Sequence, residues 1–250
     1  LLLKGKINNL IVESGLDASM GMKIVSLNTG KSIYEFNSEK LFMPASNNKL
    51  YTCAVALEKL GPDYRFKTSI YQYGNNLILK GGGDPDLTLE QLDSLAKIIS
   101  KDIDSIDSLF IDVSFMDTLN YGEGWMWDEG AWWYAAPISA LSVNDNCIDF
   151  YVDPGEADQP AKVDMVPETE YIHLINKSTT VHDTIAFQKI RIDRDWAGKT
   201  NLFTISGEVL DTASTDTFQR NIFDPVLFSG TVFKEQLSKY GVDVKKIAVS

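Results

Sequence analysis

Apolar residues first recur at helical spacing: Leu3, Ile7, Leu10 and Ile11 share one face, and Gly15 is placed to terminate that helix. The period then shortens to that of strands over residues 20–27 and 32–36, with Asn28-Thr29-Gly30-Lys31 between them as a hairpin turn. Helical spacing returns with Ala54, Val55, Leu57 and Leu60, closed by Gly61-Pro62. Beyond that point, strands are predicted over residues 66–73, 76–79 and 109–113, around a helix whose stripe is Leu89, Leu92, Leu95, Ile98 and Ile99. From residue 147 to about residue 209 the chain alternates as an antiparallel sheet does, with Ile148/Phe150/Val152, Ile190/Ile192 and Leu202/Phe203/Ile205 as strand cores. A last helix from about Asp224 to Tyr240 presents Val226, Phe228, Val232, Phe233 and Leu237 and stops at Gly241. A strand then begins at Lys246 with no partner evident from the sequence.

This alternation of helices and strands predicts an α+β protein. At 250 residues and 44% apolar content the chain can bury a substantial core as one large domain or two smaller ones. The net charge of −12, with no basic cluster longer than Lys245-Lys246, argues against nucleic acid or an anionic membrane as partner. No apolar run reaches the length of a transmembrane helix, and Leu1-Leu2-Leu3 is broken by Lys4, so no signal peptide is recognised. The chain still fits a mature form whose leader has been trimmed.

The candidate chemistry begins at Ser46-Asn47-Asn48-Lys49. A hydroxyl and an amine three residues apart fall on one face of a helix, and an amine so placed can act as the base for a serine nucleophile. Pro44 leads into a turn, so Ser46 is expected at the N-terminus of the helix that follows, where the macrodipole favours negative charge. Lys49 is expected to be partly buried there. Spacing alone equally suits an N-capping serine beside a solvated lysine. The same spacing recurs at Ser94 and Lys97, but these fall on the polar side of an amphipathic helix and are read as solvated surface.

Other patterns add little. Cys53 and Cys147 make no disulfide framework, although a bridge between them stays open; Cys53 is expected to be buried. His173 and His182 have no ligands at metal spacing, so no metal or cofactor is expected. Gly30-Lys31-Ser32 and Gly198-Lys199-Thr200 lack the earlier glycine of a phosphate loop, since Val25 and Asp193 stand there, and both are read as turns. Gly81-Gly82-Gly83-Asp84-Pro85 is read as a sharp turn. Trp125, Trp127, Trp132 and Trp133 fall within nine residues. Stacking of sugar rings is one use for them, but a packed aromatic core is the expectation.

The string Met43-Pro44-Ala45-Ser46-Asn47-Asn48-Lys49-Leu50-Tyr51-Thr52, followed by Leu60-Gly61-Pro62-Asp63-Tyr64-Arg65-Phe66, resembles the class C penicillin-binding proteins, the D-alanyl-D-alanine carboxypeptidase/endopeptidase group. So do Gly82-Gly83-Asp84-Pro85-Asp86-Leu87, Gly124-Trp125-Met126-Trp127-Asp128, Ala136-Pro137-Ile138-Ser139-Ala140-Leu141-Ser142-Val143-Asn144 and Phe233-Lys234-Glu235-Gln236-Leu237, in family order across nearly the whole chain.

The resemblance implies a serine β-lactamase/penicillin-binding transpeptidase-like domain carrying inserted α+β and mainly β domains. The catalytic domain would begin with residues 1–61, an inserted α+β domain would span 62–147, a mainly β domain 148–210, and a return segment 211–250. It also implies Ser46 as nucleophile and Lys49 as general base, acting on peptidoglycan stem peptides that end in D-Ala-D-Ala. β-Lactam antibiotics would acylate the same serine, with no cofactor, in an exported protein of the periplasm or cell envelope.

The family also uses S-x-N and K-T-G motifs, and no K-T-G occurs in these 250 residues; Lys199-Thr200-Asn201 is the nearest. Ser142-Val143-Asn144 has the S-x-N form but matches the inserted region, so Ser142 and Asn144 are not assigned to catalysis. Ser26-Leu27-Asn28 ends a hairpin strand. These residues alone are therefore expected to be nearly inactive, as the N-terminal part of a longer enzyme. Two other classes stay open: a catalytically inactive module of the same fold that binds the cell wall, and an S-x-x-K esterase or β-lactamase.

Overall fold

The computed structural model describes residues 2–126, 128–182 and 188–249, which form two compact units meeting in sequence at Tyr64 and Arg65. The first unit holds helix α1 (Leu2–Glu13), strands β1 (Met22–Val25) and β2 (Ser32–Phe36), and helix α2 (Asn48–Leu60). β1 and β2 form an antiparallel hairpin with Met22 opposite Phe36, as the alternation and the turn at residues 28–31 require. Tyr34 is the one buried apolar side chain among the described residues of this unit, and its hydroxyl donates to Asn8 Oδ1 of α1 at 2.7 Å.

Helix α2 departs from expectation. Its periodic stripe and the burial expected for Lys49 and Cys53 call for a covering surface, yet Val55, Leu57 and Leu60 are exposed and the helix carries no buried residue. A periodic stripe records only that a helix has an apolar face. Burying it takes an opposing surface, and no described residue supplies one.

The second unit begins with strands β3 (Ser69–Tyr73), β4 (Asn76–Lys80) and β5 (Asp84–Leu87) and helix α3 (Leu89–Ile99), then strands β6 (Ser105–Ile106), β7 (Ser108–Asp112) and β8 (Leu141–Val143). Strands β9 (Cys147–Asp153), β10 (Lys162–Val166), β11 (His173–Val181), β12 (Arg191–Arg194), β13 (Leu202–Leu210) and β14 (Asp216–Asn221) follow. Helix α4 (Pro225–Lys239) and strands β15 (Asp243–Val244) and β16 (Ile247–Val249) complete it.

Four strands in the order β16-β7-β4-β3 form one sheet, whose buried Leu77, Leu79, Leu109 and Ile111 pack with Leu92 of α3 and Phe228, Val232 and Phe233 of α4. Thr88 and Gln91 form a reciprocal capping box at the start of α3, and Asp224 caps α4 by accepting from Leu227 N. The strand that begins near Lys246 does have a partner: β16 lies parallel to β7. That pairing joins residues far apart in sequence, which local patterning does not encode.

Gly81 and Gly82 do more than turn the chain. A Cβ at Gly81 would stand 2.3 Å from Ala140 O, and one at Gly82 would stand 2.1 Å from Lys67 O. Two backbones therefore approach where only glycine fits.

The β-rich part consists of two three-stranded sheets, β10-β9-β14 and β11-β13-β12, joined in one core through Phe150 and Phe203 at 5.1 Å between ring centroids. The first is antiparallel, as alternation suggested. In the second, β11 runs parallel to β13 while β12 is antiparallel to it. Alternation reports which face is buried and carries no strand direction, so the all-antiparallel expectation fails there.

Candidate functional site

Ser46 lies in a turn immediately before α2 rather than inside the helix. Asn48 N and Lys49 N donate to Ala45 O and Ser46 O, both at 3.0 Å, and Asn47, with helical φ and ψ, leads into the helix at Asn48. The Asn47 side chain holds the turn by accepting from Ala45 N at 2.8 Å. Lys49 Nζ donates to Ser46 Oγ at 3.2 Å, so the local backbone alone brings the two side chains together. The Ser46 N–H makes no hydrogen bond among the described residues and sits at the positive end of the helix. The expected partial burial of Lys49 is not found: Ser46 and Lys49 are both exposed, because the side of α2 that carries them has no covering layer among the described residues.

The competing patterns go elsewhere. Ser94 and Lys97 are exposed on α3, opposite buried Leu92 and Ala96. Ser142 Oγ donates to Ser139 O at 3.1 Å and accepts from Asn146 Nδ2 at 3.0 Å. Asn144 Nδ2 reaches Cys147 O and Asp149 Oδ2, both at 3.1 Å. These residues organise a tight left-handed turn in which Asn144, Asp145 and Asn146 all have positive φ, a conformation that short polar side chains tolerate best. Cys53 is exposed rather than buried, like the rest of α2, while Cys147 is fully buried, and both are free thiols. Among the described residues no group of histidine, cysteine and carboxylate side chains is arranged to hold a metal.

The aromatic segment also departs from its expected place in a core. Trp125, Trp132 and Trp133 are each about half exposed, and Trp127 lies outside the described residues. The segment is held from below by polar groups instead. Asn221, almost fully buried, donates from Nδ2 to Gly130 O, Trp132 O and Ala135 O at 3.1, 2.8 and 3.1 Å. Its Oδ1 accepts from Arg194 Nη2 at 2.9 Å. The Arg220 guanidinium stacks 4.6 Å from the centroid of the Trp132 ring and donates from Nε to Ile192 O.

Sequence reasoning passed over Asn221, Arg194 and Arg220, although one signal was legible. Ile190, Ile192 and Arg194 share the inward parity of their strand, and a charge at an inward position must be bound by something. Burial pulls both guanidinium groups below their ordinary pKa.

Residues 3–249 match the family model described as the D-Ala-D-Ala carboxypeptidase 3 (S13) family. The chain belongs to this family. Among curated relatives, a D-alanyl-D-alanine carboxypeptidase of Actinomadura sp. (strain R39) is 29% identical over 97% of this chain and 48% of its own length. A penicillin-sensitive carboxypeptidase A of Dictyostelium discoideum is 24% identical over 87% of the chain and 46% of its own length. The chain thus spans about half the length of these curated relatives.

Among solved structures, penicillin binding protein 4 of Haemophilus influenzae superposes with a TM-score of 0.75 at 22% identity, over 97% of this chain and 56% of that one. The same protein complexed with a β-lactam gives 0.70 at 20% identity. The fold is therefore the α+β fold of that penicillin-binding protein. No helix among the described residues is long and apolar enough to cross a membrane.

Proposed function

We propose that this S13-family chain carries the nucleophilic half of a serine D-Ala-D-Ala carboxypeptidase site acting on peptidoglycan stem peptides. The observation that carries the reading is the 3.2 Å hydrogen bond between Lys49 Nζ and Ser46 Oγ, in a chain matched to the family over residues 3–249. In this reading Lys49, as a free amine, takes the hydroxyl proton while Ser46 Oγ attacks the carbonyl carbon of the penultimate D-alanine. The Ser46 N–H, unused within the described residues, fits one donor of an oxyanion hole. The terminal D-alanine leaves as the amine with a proton, and water then cleaves the ester to regenerate Ser46. Penicillin, opening its lactam ring on the same oxygen, would leave a slowly hydrolysed ester.

The remaining parts of the proposal follow from family membership. Residues 1–61 would belong to the transpeptidase-like domain, 62–147 and 148–210 would be its insertions, and 211–250 the return toward it. Export to the periplasm or cell envelope follows from where such substrates lie. Full turnover would also need the S-x-N and K-T-G groups, and residues 1–250 alone would turn over little.

Mass spectrometry of the full-length protein after exposure to penicillin tests the reading. A persistent adduct on the peptide containing Ser46 is expected, absent in Ser46→Ala and formed about 100-fold or more slowly in Lys49→Met. An adduct on another serine, or none, would overturn it.

A further inference from the structure

An open cleft of about 660 Å³ runs along the second unit between the aromatic segment and strands β12 and β14, and it inverts the charge of the molecule. The whole chain carries 35 acidic against 23 basic residues, yet the cleft presents Lys189, Arg191 and Arg220 against the single carboxylate of Asp149. Among the described residues none of the three cations forms an ion pair with a carboxylate, although Asp193 lies near enough to act on the Arg220 charge, and Asp149 is already engaged by the Asn144 amide at 3.1 Å. Arg220 is largely buried and uses Nε and Nη1 on the carbonyls of Ile192 and Gln219, which leaves Nη2 with no acceptor among the described residues. A guanidinium desolvated to this degree gains most from an anionic acceptor.

The other wall is aromatic. Trp133 is half exposed, and its one ring neighbour among the described residues is Tyr134, met edge-on at 6.0 Å between centroids. Trp132 is fixed between the Arg220 guanidinium and Tyr134, so it backs the wall, whereas the Trp133 indole is available as a platform. Thr217 and Gln219 add a hydroxyl and a carboxamide to the lining. A flat aromatic surface, neutral hydrogen-bonding groups and unpaired cations together suit a ligand with apolar ring faces, hydroxyls and carboxylates.

We infer that this cleft binds a carboxylate-bearing saccharide, with a sugar ring against Trp133 and its carboxylate directed to Arg191, Lys189 and Arg220. The site lies wholly within the second unit and uses none of the Ser46 chemistry. It would hold the glycan part of a wall polymer independently of any peptide cleavage.

Isothermal titration of the protein with three probes tests this. The probes are a peptide-free tetrasaccharide of alternating N-acetylglucosamine and N-acetylmuramic acid, the neutral chitotetraose, and hexaglutamate. Weak, salt-sensitive binding of the muramyl tetrasaccharide is expected. Affinity for chitotetraose, and that of Trp133→Ala or Arg191→Glu for the muramyl tetrasaccharide, should be at least about fivefold lower, the effect of a lost contact near 1 kcal/mol.

Both substituted side chains are solvent-exposed, and circular dichroism verifies that each variant is folded. No binding of the muramyl tetrasaccharide, equal binding of chitotetraose, or affinity unchanged in both variants would overturn the inference. So would comparable binding of hexaglutamate, which would make the cleft a site for acidic peptide. Penicillin labelling of Ser46 in the unsubstituted protein is read separately and reports on the proposed peptidase alone.

Discussion

Arg194 donates from Nη2 to Asn221 Oδ1 at 2.9 Å, and through that one carboxamide a buried charge and the aromatic segment are tied together. Replacing Asn221 with Leu would strip Arg194 of a side-chain acceptor and Gly130, Trp132 and Ala135 of a donor to their carbonyls. A loss of about 3 kcal/mol is expected from such unsatisfied buried groups. Denaturant unfolding would measure it, and tryptophan emission should change already in the native state. A loss below about 1 kcal/mol would mean that water replaces the carboxamide.

Lys80 and Asp112 face each other across β4 and β7, with Nζ 2.7 Å from Oδ2. The lysine bond, with help from Ser114, holds the Asp112 carboxyl down at about 2. The folded value is therefore below the unfolded value of about 3.9, so the contribution is present above roughly pH 4 and lost as pH falls toward 2. Because Lys80 is substantially solvated, Asp112→Asn should cost only about 1 kcal/mol at neutral pH. Unfolding curves of the two proteins should converge as the pH is lowered; a constant difference would exclude the ionic origin.

The glycines separate steric need from mere tolerance. Gly82→Ala would drive a methyl into Lys67 O, and a loss of about 3 kcal/mol is expected. Gly5, inside α1 with nothing within 4 Å of its added Cβ, should gain about 0.5–1 kcal/mol on change to Ala. Opposite shifts in melting temperature would bear this out. A gain for Gly82→Ala would contradict the close approach.

Thiol reactivity should divide the two cysteines. Cys53 is exposed, whereas burial pushes the Cys147 thiol far up and leaves it both protonated and inaccessible. Ellman's reagent should modify one thiol per chain quickly, the fast phase should vanish in Cys53→Ser, and the second should react only on unfolding. Two fast thiols in the native protein would contradict the burial of Cys147.

How much was legible follows from the range of each signal. The helix stripes, the hairpin at residues 28–31, the inward set Ile148, Phe150 and Val152, and the Ser46/Lys49 spacing rest on neighbours a few residues apart, and period alone reveals them. Where a distant surface decides, the sequence was silent or misleading: the aromatic segment lies open on polar supports, α2 with Lys49 and Cys53 is uncovered among the described residues, and the strand expected after Lys246 finds its partner in β7. Arg194 was half legible, as a charge of inward parity, but its acceptor Asn221 stands 27 residues away.

The sequence by itself determined the α+β class, the strings that resemble the penicillin-binding family, and the meeting of Ser46 with Lys49, because one helical turn brings i and i+3 together whatever surrounds them. Only the tertiary structure decided that β11 and β13 run parallel, that Gly81 and Gly82 admit two backbones, and that Lys189, Arg191 and Arg220 share a cleft with Trp133. These depend on strand pairing between residues far apart in the chain. Side-chain periodicity fixes the face on which a residue lies, but which strand lies beside it is settled by the packing of the whole core.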